Sequence, residues 1–261
     1  MDILGQNLIR LSQSHLNLLS ICPPKFQQIY LDCLGIIPDL QRQENMKWGS
    51  QFHLLMQQRE LTLPIESLLK HDPELDSAFK ALIKNAAELG TNSINVWREA
   101  EHCRTFSHHN FVFTVIYDLL IAKADQATIL DWKTYRQPQK ASKLAHNWQT
   151  RLYLYVLTET SEYTPEQIEM TYWFVRSGKS QNVTFQYSRA QHQQTERDLF
   201  DLLAKLETWL QNYQEHQTGF PHLPNCEAKC PYYQFFSTKV SAIKQPQQWL
   251  ASIEKVEEIS I

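Results

Sequence analysis

The stretch from Phe111 to Lys133 constrains the fold more than any other. It reads FVFTVIYDLLIA, then KADQ, then ATILDWK. Two apolar runs rich in Val, Ile, Thr and aromatic residues are joined by a short polar segment. That composition marks β-strands, and Ala124-Asp125-Gln126 suits the turn between them. Side chains alternate between the faces of a strand, so Asp131 and Lys133 share a face while Trp132 points away. Antiparallel pairing can then set Asp118, inside the first run, beside Asp131. Two carboxylates on one sheet surface repel and raise a pKa unless a cation lies between them. Lys133 is one such cation; a divalent metal with hard oxygen ligands is another.

A chain of 261 residues has room for one large α/β domain or two small ones. Apolar content of 43% with 11% aromatics excludes a largely disordered chain. No apolar run approaches the length of a membrane span, and no basic-plus-apolar leader opens the sequence. The expectation is a soluble, cytoplasmic protein with no membrane partner. Five unevenly spread cysteines do not read as a secreted disulfide framework. A net charge of −3 gives no general pull towards nucleic acid. Between Lys123 and Arg151, however, there is a local excess of four positive charges. Arg136, Lys140, Lys143 and Arg151 are therefore candidate contacts to a nucleic-acid backbone, although a solvated loop and helix face would have the same composition.

The flanking segments supply the remaining candidates. Near the N-terminus Ser12 or Ser14 can cap a short helix, Pro23-Pro24 interrupt it, and a second helix runs to about Leu34 before Gly35. In KWGSQFHLLM, the residues Trp48, Phe52, Leu55 and Met56 keep helical spacing, and His53 is one residue off that stripe. Leu61 to Leu89 reads as helical, with Pro64 and Pro73 at first-turn positions, ending at Gly90-Thr91-Asn92. INVWREAEHCRTF reads as a strand with Val96, Arg98 and Ala100 on one face and Trp97, Glu99 and Glu101 on the other. A helix is expected from about Ser142 to Glu159, with Gln149 and Tyr153 four apart and so side by side. EQIEMTYWFVRSG and QNVTFQYS read as two strands joined by a Ser177-Gly178-Lys179-Ser180 turn, and Ser188 as the cap of a helix reaching about Tyr213.

Set in order, Asp118, then Asp131-Trp132-Lys133-Thr134, then Gln149-Thr150-Arg151-Leu152-Tyr153 resemble the PD-(D/E)XK nuclease superfamily. Within it they look most like the RecB-like exonuclease branch (RecB and AddB nuclease domains and CRISPR-associated adaptation nucleases), where a D-x-K strand precedes a helix carrying Q-x-x-x-Y. A D-x-K triplet alone is weak, since about one (D/E)-x-K match arises by chance. Glu227-Ala228-Lys229 also fits but has no apolar strand before it. The ordered set carries the resemblance, which runs from Leu11 to about Phe236. One departure is Val115, where the family often has a glycine.

The resemblance implies an α/β fold with a restriction-endonuclease-like core, a central mixed β-sheet flanked by α-helices, and an additional N-terminal helical segment. It implies one nuclease domain over residues 1–240, with 1–90 mainly helical, 91–188 the catalytic sheet and helix, and 189–240 a covering helix and cysteine segment. Residues 241–261 form a tail. The implied activity is Mg²⁺- or Mn²⁺-dependent hydrolysis of DNA by an exonuclease in repair or recombination. Its partners would be DNA that is single-stranded or has free ends, and a helicase or other repair protein. Asp118, Asp131, Lys133, Gln149 and Tyr153 take the catalytic positions. His53, Asp118, Asp131 and the Trp132 carbonyl take the metal positions, with Glu99 added from the preceding strand and Glu101 as its alternative. Cys22, Cys226 and Cys230 match iron–sulfur ligand positions, but Phe236 stands where the last cysteine belongs. No cluster is therefore expected; the three read as a vestigial staple, with zinc through His222 a remoter option. Two other readings stay open. One is a catalytically silent binding module that keeps the nuclease fold, and the other is an accessory subunit of a helicase–nuclease complex, active only with its partner.

Overall fold

The hairpin expected from Phe111 to Lys133 forms, and it is the centre of the sheet. In the computed structural model, residues 8–34, 40–90, 96–176 and 181–233 are described. The expected turn at Ser177–Ser180, Gly35, Thr91-Asn92, Phe236 and the 241–261 tail lie outside the described residues.

Strand β2 (Trp97–His108) pairs antiparallel with β3 (Phe111–Ala122) from Trp97↔Ala122 to His108↔Phe111. The other edge of β3 is shared. Its C-terminal half takes β4 (Ala127–Lys133) antiparallel from Ala122↔Ala127 to Leu119↔Leu130, and its N-terminal half takes β1 (Ile9–Leu11) in parallel. Strand β5 (Ile168–Phe174) lies parallel to β4, and β6 (Gln181–Gln186) antiparallel to β5. The sheet is mixed, in the order β1-β3-β4-β5-β6 with β2 on β3. A parallel neighbour needs a crossover, and the one from β4 to β5 carries the helices that complete the candidate site.

Helices cover both faces. On one, Trp48, Phe52, Leu55 and Met56 of α3 (Leu40–Glu60) bury with Leu75, Ala78 and Leu82 of α5 (Pro73–Asn85) against Leu119, Leu130, Trp132 and Trp173. Each large apolar side chain fully buried here contributes about 1.5–3 kcal/mol. Asp72 caps α5 by accepting from the Leu75 amide at 3.0 Å, with Pro73 in the first turn. Pro64 does not start a helix: the short α4 (Glu66–His71) begins two residues later.

The single helix expected from Ser142 to Glu159 is two, α6 (Ala141–His146) and α7 (Trp148–Glu159). Asn147 is extended at ψ 138°, and its side chain accepts from the Gln149 amide at 2.8 Å, which restarts the helix. That restart fixes Gln149 in the first turn of α7, beneath the sheet. Further along, Tyr155 of α7 meets Phe106 edge-on at 5.4 Å, and Tyr117 meets Tyr153 at 5.3 Å.

Among the described residues, 8–11 with 40–196 form one compact unit, and 12–34 with 197–233 a second. The second holds α1 (Gln13–Ile21), α2 (Pro23–Phe26), most of α8 (Arg189–His216) and α9 (Cys226–Lys229). Ser12 caps α1 in a reciprocal arrangement with His15. Phe26 stacks on Phe220 at 6.1 Å, and Phe220 meets Trp209 at 5.6 Å. Ser188 starts α8 as expected, its hydroxyl accepting from Gln191. No helix among the described residues is long and apolar enough to cross a membrane.

Candidate active site

Three carboxylates stand abreast on three neighbouring strands. One step beyond Leu119↔Leu130, the register sets Asp118 opposite Asp131. The gap between Ala100↔Leu119 and His102↔Tyr117 sets Glu101 opposite Asp118. Asp118 Oδ2 accepts from the Trp132 amide at 2.6 Å, so a side chain takes over where the ladder between β3 and β4 stops. A strand residue turns its N–H and C=O towards the same neighbour. The Trp132 carbonyl therefore also faces the β3 side, past the last paired residues.

Glu101 has a left-handed backbone, φ 54°, a conformation that costs a non-glycine residue about 1–2 kcal/mol. It switches the faces of β2. Ala100, before it, packs on the cluster of α3 and α5. His102, after it, stacks at 6.2 Å on Tyr117, whose hydroxyl donates to the Tyr153 carbonyl of α7. Regular alternation would have held Glu99 and Glu101 on one face. The structure instead turns the Glu101 carboxylate to 4.0 Å from His53 Nδ1, while Glu99 pairs with His102 at 2.7 Å. The order in which the sequence ranked these two glutamates is thus reversed. No local sequence signal announces a left-handed glutamate.

His53 reaches the acids from α3, with Nδ1 3.2 Å from Asp118 Oδ1. Gly49, one turn earlier, allows that approach: a Cβ at this position would lie 2.9 Å from Thr134 Oγ1. Three residues of α3 thus divide the work. Gly49 admits the end of β4, Phe52 is fully buried, and His53 faces the carboxylates.

On the far side of Asp131 lies a buried polar triangle. Lys133 Nζ is 2.8 Å from Asp131 Oδ1 and donates to Gln149 Oε1 at 2.6 Å, while Gln149 Nε2 donates to Asp131 Oδ2 at 2.6 Å. The ammonium also lies 4.9 Å from the Tyr172 ring and 5.9 Å from that of Tyr135. Tyr135 was not singled out in the sequence, although it follows Lys133 by two residues. Tyr172 sits opposite Asp131 on β5 and had no local signal. Tyr153 is buried one turn beyond Gln149.

Burial drives the Asp131 carboxyl upward; Lys133 opposes this and Asp118 reinforces it. For Lys133, burial pulls downward but is outweighed by Asp131, so the ammonium is held above its ordinary range and remains cationic. Burial and the Asp118 charge raise Glu101. Burial works to lower His53, yet Asp118 above all, then Asp131 and Glu101, lift it to about 9. Burial holds the Tyr153 hydroxyl well above the usual phenol range, so it stays a donor.

Acids that raise one another's pKa form a site short of positive charge. Donor atoms of His53, Glu101 and Asp118 lie within 4.8 Å of one another. Asp131 Oδ1 is buried and, although close to Lys133, makes no aligned hydrogen bond. Carboxylate oxygens with one imidazole suit Mn²⁺, and the oxygens suit Mg²⁺. The donor set fits a divalent cation.

The other candidates fall elsewhere. Arg136, Lys140 and Lys143 are exposed between β4 and α7. The Arg151 guanidinium lies 4.4 Å over the Trp148 ring. Cys22, Cys226 and Cys230 come together as buried free thiols with Tyr232, and Cys226 Sγ is 3.5 Å from His222 Nδ1. Burial raises the Cys22 and Cys226 thiols, which favours neutral packing. Glu227-Ala228-Lys229 falls in α9, not on a strand.

A family model for the PD-(D/E)XK nuclease superfamily matches residues 10–235. No curated protein matches the chain. Among solved structures, the "Putative exonuclease" from Eubacterium rectale is similar at 10% identity and a TM-score of 0.48, covering 77% of this chain and 84% of that one. The protein SSO0001 is similar at 12% identity and a TM-score of 0.34, covering 75% of each chain.

Proposed function

Because the chain belongs to the PD-(D/E)XK nuclease superfamily, we propose that it is a divalent-metal-dependent deoxyribonuclease, an exonuclease of the RecB-like kind. The observation that carries this reading is the buried Asp131–Lys133–Gln149 triangle adjoining the His53–Glu101–Asp118 group. His53, Glu101, Asp118, Asp131 and the Trp132 carbonyl would hold Mg²⁺ or Mn²⁺. When bound, such a cation lowers the pKa of a water and offsets charge on phosphoryl oxygens. Lys133, held cationic, stabilises negative charge developing on the phosphoryl group and is no candidate for a general base. Gln149 fixes the ammonium and Asp131 relative to each other, and the Tyr153 hydroxyl remains a donor near the acids. Arg136, Lys140 and Lys143 would meet the DNA backbone. Action in repair or recombination, beside a helicase, follows from the same resemblance.

The direct test is cleavage of end-labelled single- and double-stranded DNA with Mg²⁺ or Mn²⁺, and with EDTA. Stepwise shortening from an end that stops with EDTA is expected. Internal cutting would exclude the exonuclease reading, and cutting that persists in EDTA would exclude the metal.

His53 makes metal affinity pH-dependent, because a metal ligand must lose its proton. Its folded pKa, about 9, lies above the ordinary 6.5. In the metal-free protein, protonated His53 thus contributes stability that is complete below about 6.5 and lost as the pH rises through about 9. Mn²⁺ affinity should climb by up to about tenfold per pH unit across that window and level off above it. Calorimetric titration of wild type and His53→Ala checks this. A wild-type affinity that does not vary with pH would remove His53 from the ligand set.

A further inference from the structure

Glu101 and His53 open onto a cavity of about 530 Å³ whose lining also includes Gly49, Ser50, Leu54 and Gln57. Ser50, His53, Leu54 and Gln57 are spaced i, i+3, i+4, i+7, which is one face of α3. The groove therefore follows that helix for about 10 Å at 1.5 Å per residue. It has no Lys or Arg in its lining, its one basic group is engaged with Asp118, and Glu101 adds negative charge. Such a wall does not attract a run of backbone phosphates, which need cations.

It does offer what a base requires. Leu54 is 43% exposed, an apolar side chain kept at the surface of α3 where the helix passes the acids, while its neighbours Leu55 and Met56 are buried. Beside it, Gln57 presents an amide that both donates and accepts hydrogen bonds. Bases outside a duplex are held in this way, by apolar contact on the ring face and hydrogen bonds along the edge.

We propose that this groove receives the nucleobase of the nucleotide next to the scissile phosphate, with Leu54 against its face and Gln57 at its edge. The proposal rests on the nuclease reading and adds a specificity site to it. In a duplex that edge is paired and that face stacked, so the strand must be open where it enters. An amide that donates and accepts can serve any base, so the site selects unpaired strands without selecting sequence.

The test compares binding of a fluorescent oligothymidine with binding of an abasic strand of equal length, with Ca²⁺ present, by anisotropy. Wild type should bind the base-bearing strand about tenfold or more tightly over the abasic one, the scale of one well-held base. In Leu54→Ala/Gln57→Ala that ratio should fall towards one, with binding of the abasic strand unchanged. Alanine favours helix and neither Leu54 nor Gln57 is buried, so the variant should fold, and its melting temperature confirms this. Equal binding of both strands by wild type overturns the proposal, as does a preference that survives in the variant. Cleavage without base preference leaves the nuclease reading standing and removes this one. Base-dependent binding without cleavage in Mg²⁺ or Mn²⁺ removes the nuclease reading, and with it the scissile phosphate, and leaves only a base-binding groove.

Discussion

Asp118→Asn should abolish divalent-metal binding and reduce cleavage by about 10³-fold or more, as expected when several kcal/mol of transition-state stabilisation is removed. Asp118 is the hinge of the site. It stands opposite Asp131 and Glu101, lies 3.2 Å from His53, and accepts from the Trp132 amide. Asparagine keeps the size and an oxygen for that amide, so the sheet should survive. It removes the charge that raises both Glu101 and Asp131 and that does most to lift His53. Relief of the repulsion among the acids offsets the lost pairing with His53, so the metal-free variant should melt close to wild type, and the His53 pKa should fall from about 9. Mn²⁺ calorimetry, an NMR titration of His53 and cleavage rates read the three effects separately. Wild-type Mn²⁺ affinity and rate in this variant would displace Asp118 from the centre.

Lys133→Met should lower cleavage by about 10²- to 10³-fold, the cost of losing one preorganised electrostatic group. Unlike the first variant, it should also lose stability. Asp131 is buried, with the ammonium 2.8 Å away, and removing one member of a buried pair costs about 3–5 kcal/mol. The pH dependence follows from the raised folded pKa of Asp131. A carboxyl that is easier to protonate folded than unfolded stabilises the fold at low pH, and that contribution is lost as the pH rises through the folded pKa. Without Lys133 the rise is larger, so the deficit in melting temperature should be greatest at neutral pH and narrow in acid. Asp131→Asn/Lys133→Met leaves no charge behind and should recover stability but none of the rate. Thermal melts of the two variants across pH, beside cleavage assays, decide the matter. Full-rate cutting by Lys133→Met would sink the proposed role.

The Asp131–Lys133 pair could be named in advance because a two-residue strand repeat is set by the backbone alone. Gln149 and Tyr153 were placed together for the same reason, four apart on a helix. The helix break at Asn147 was not foreseen, although Asn caps helices readily, because apolar spacing continues across it. Spacing could not choose between Glu99 and Glu101, which share a face of β2 under regular alternation. The left-handed residue that breaks it is held by neighbours distant in sequence. The contacts of Tyr172 and Thr134 were invisible for a similar reason: each matters through a register or a close approach between separate elements.

By itself the sequence determined which residues could be strand or helix, which of them share a face, and which ordered set of acids, lysine and glutamine the chain carries. Local backbone geometry settles those matters within a few residues. Only the tertiary structure decided which glutamate joins Asp118, how close α3 comes to β4, and where the open groove lies. Those depend on strand register and on the packing of helices against the sheet, both set by contacts between segments far apart along the chain.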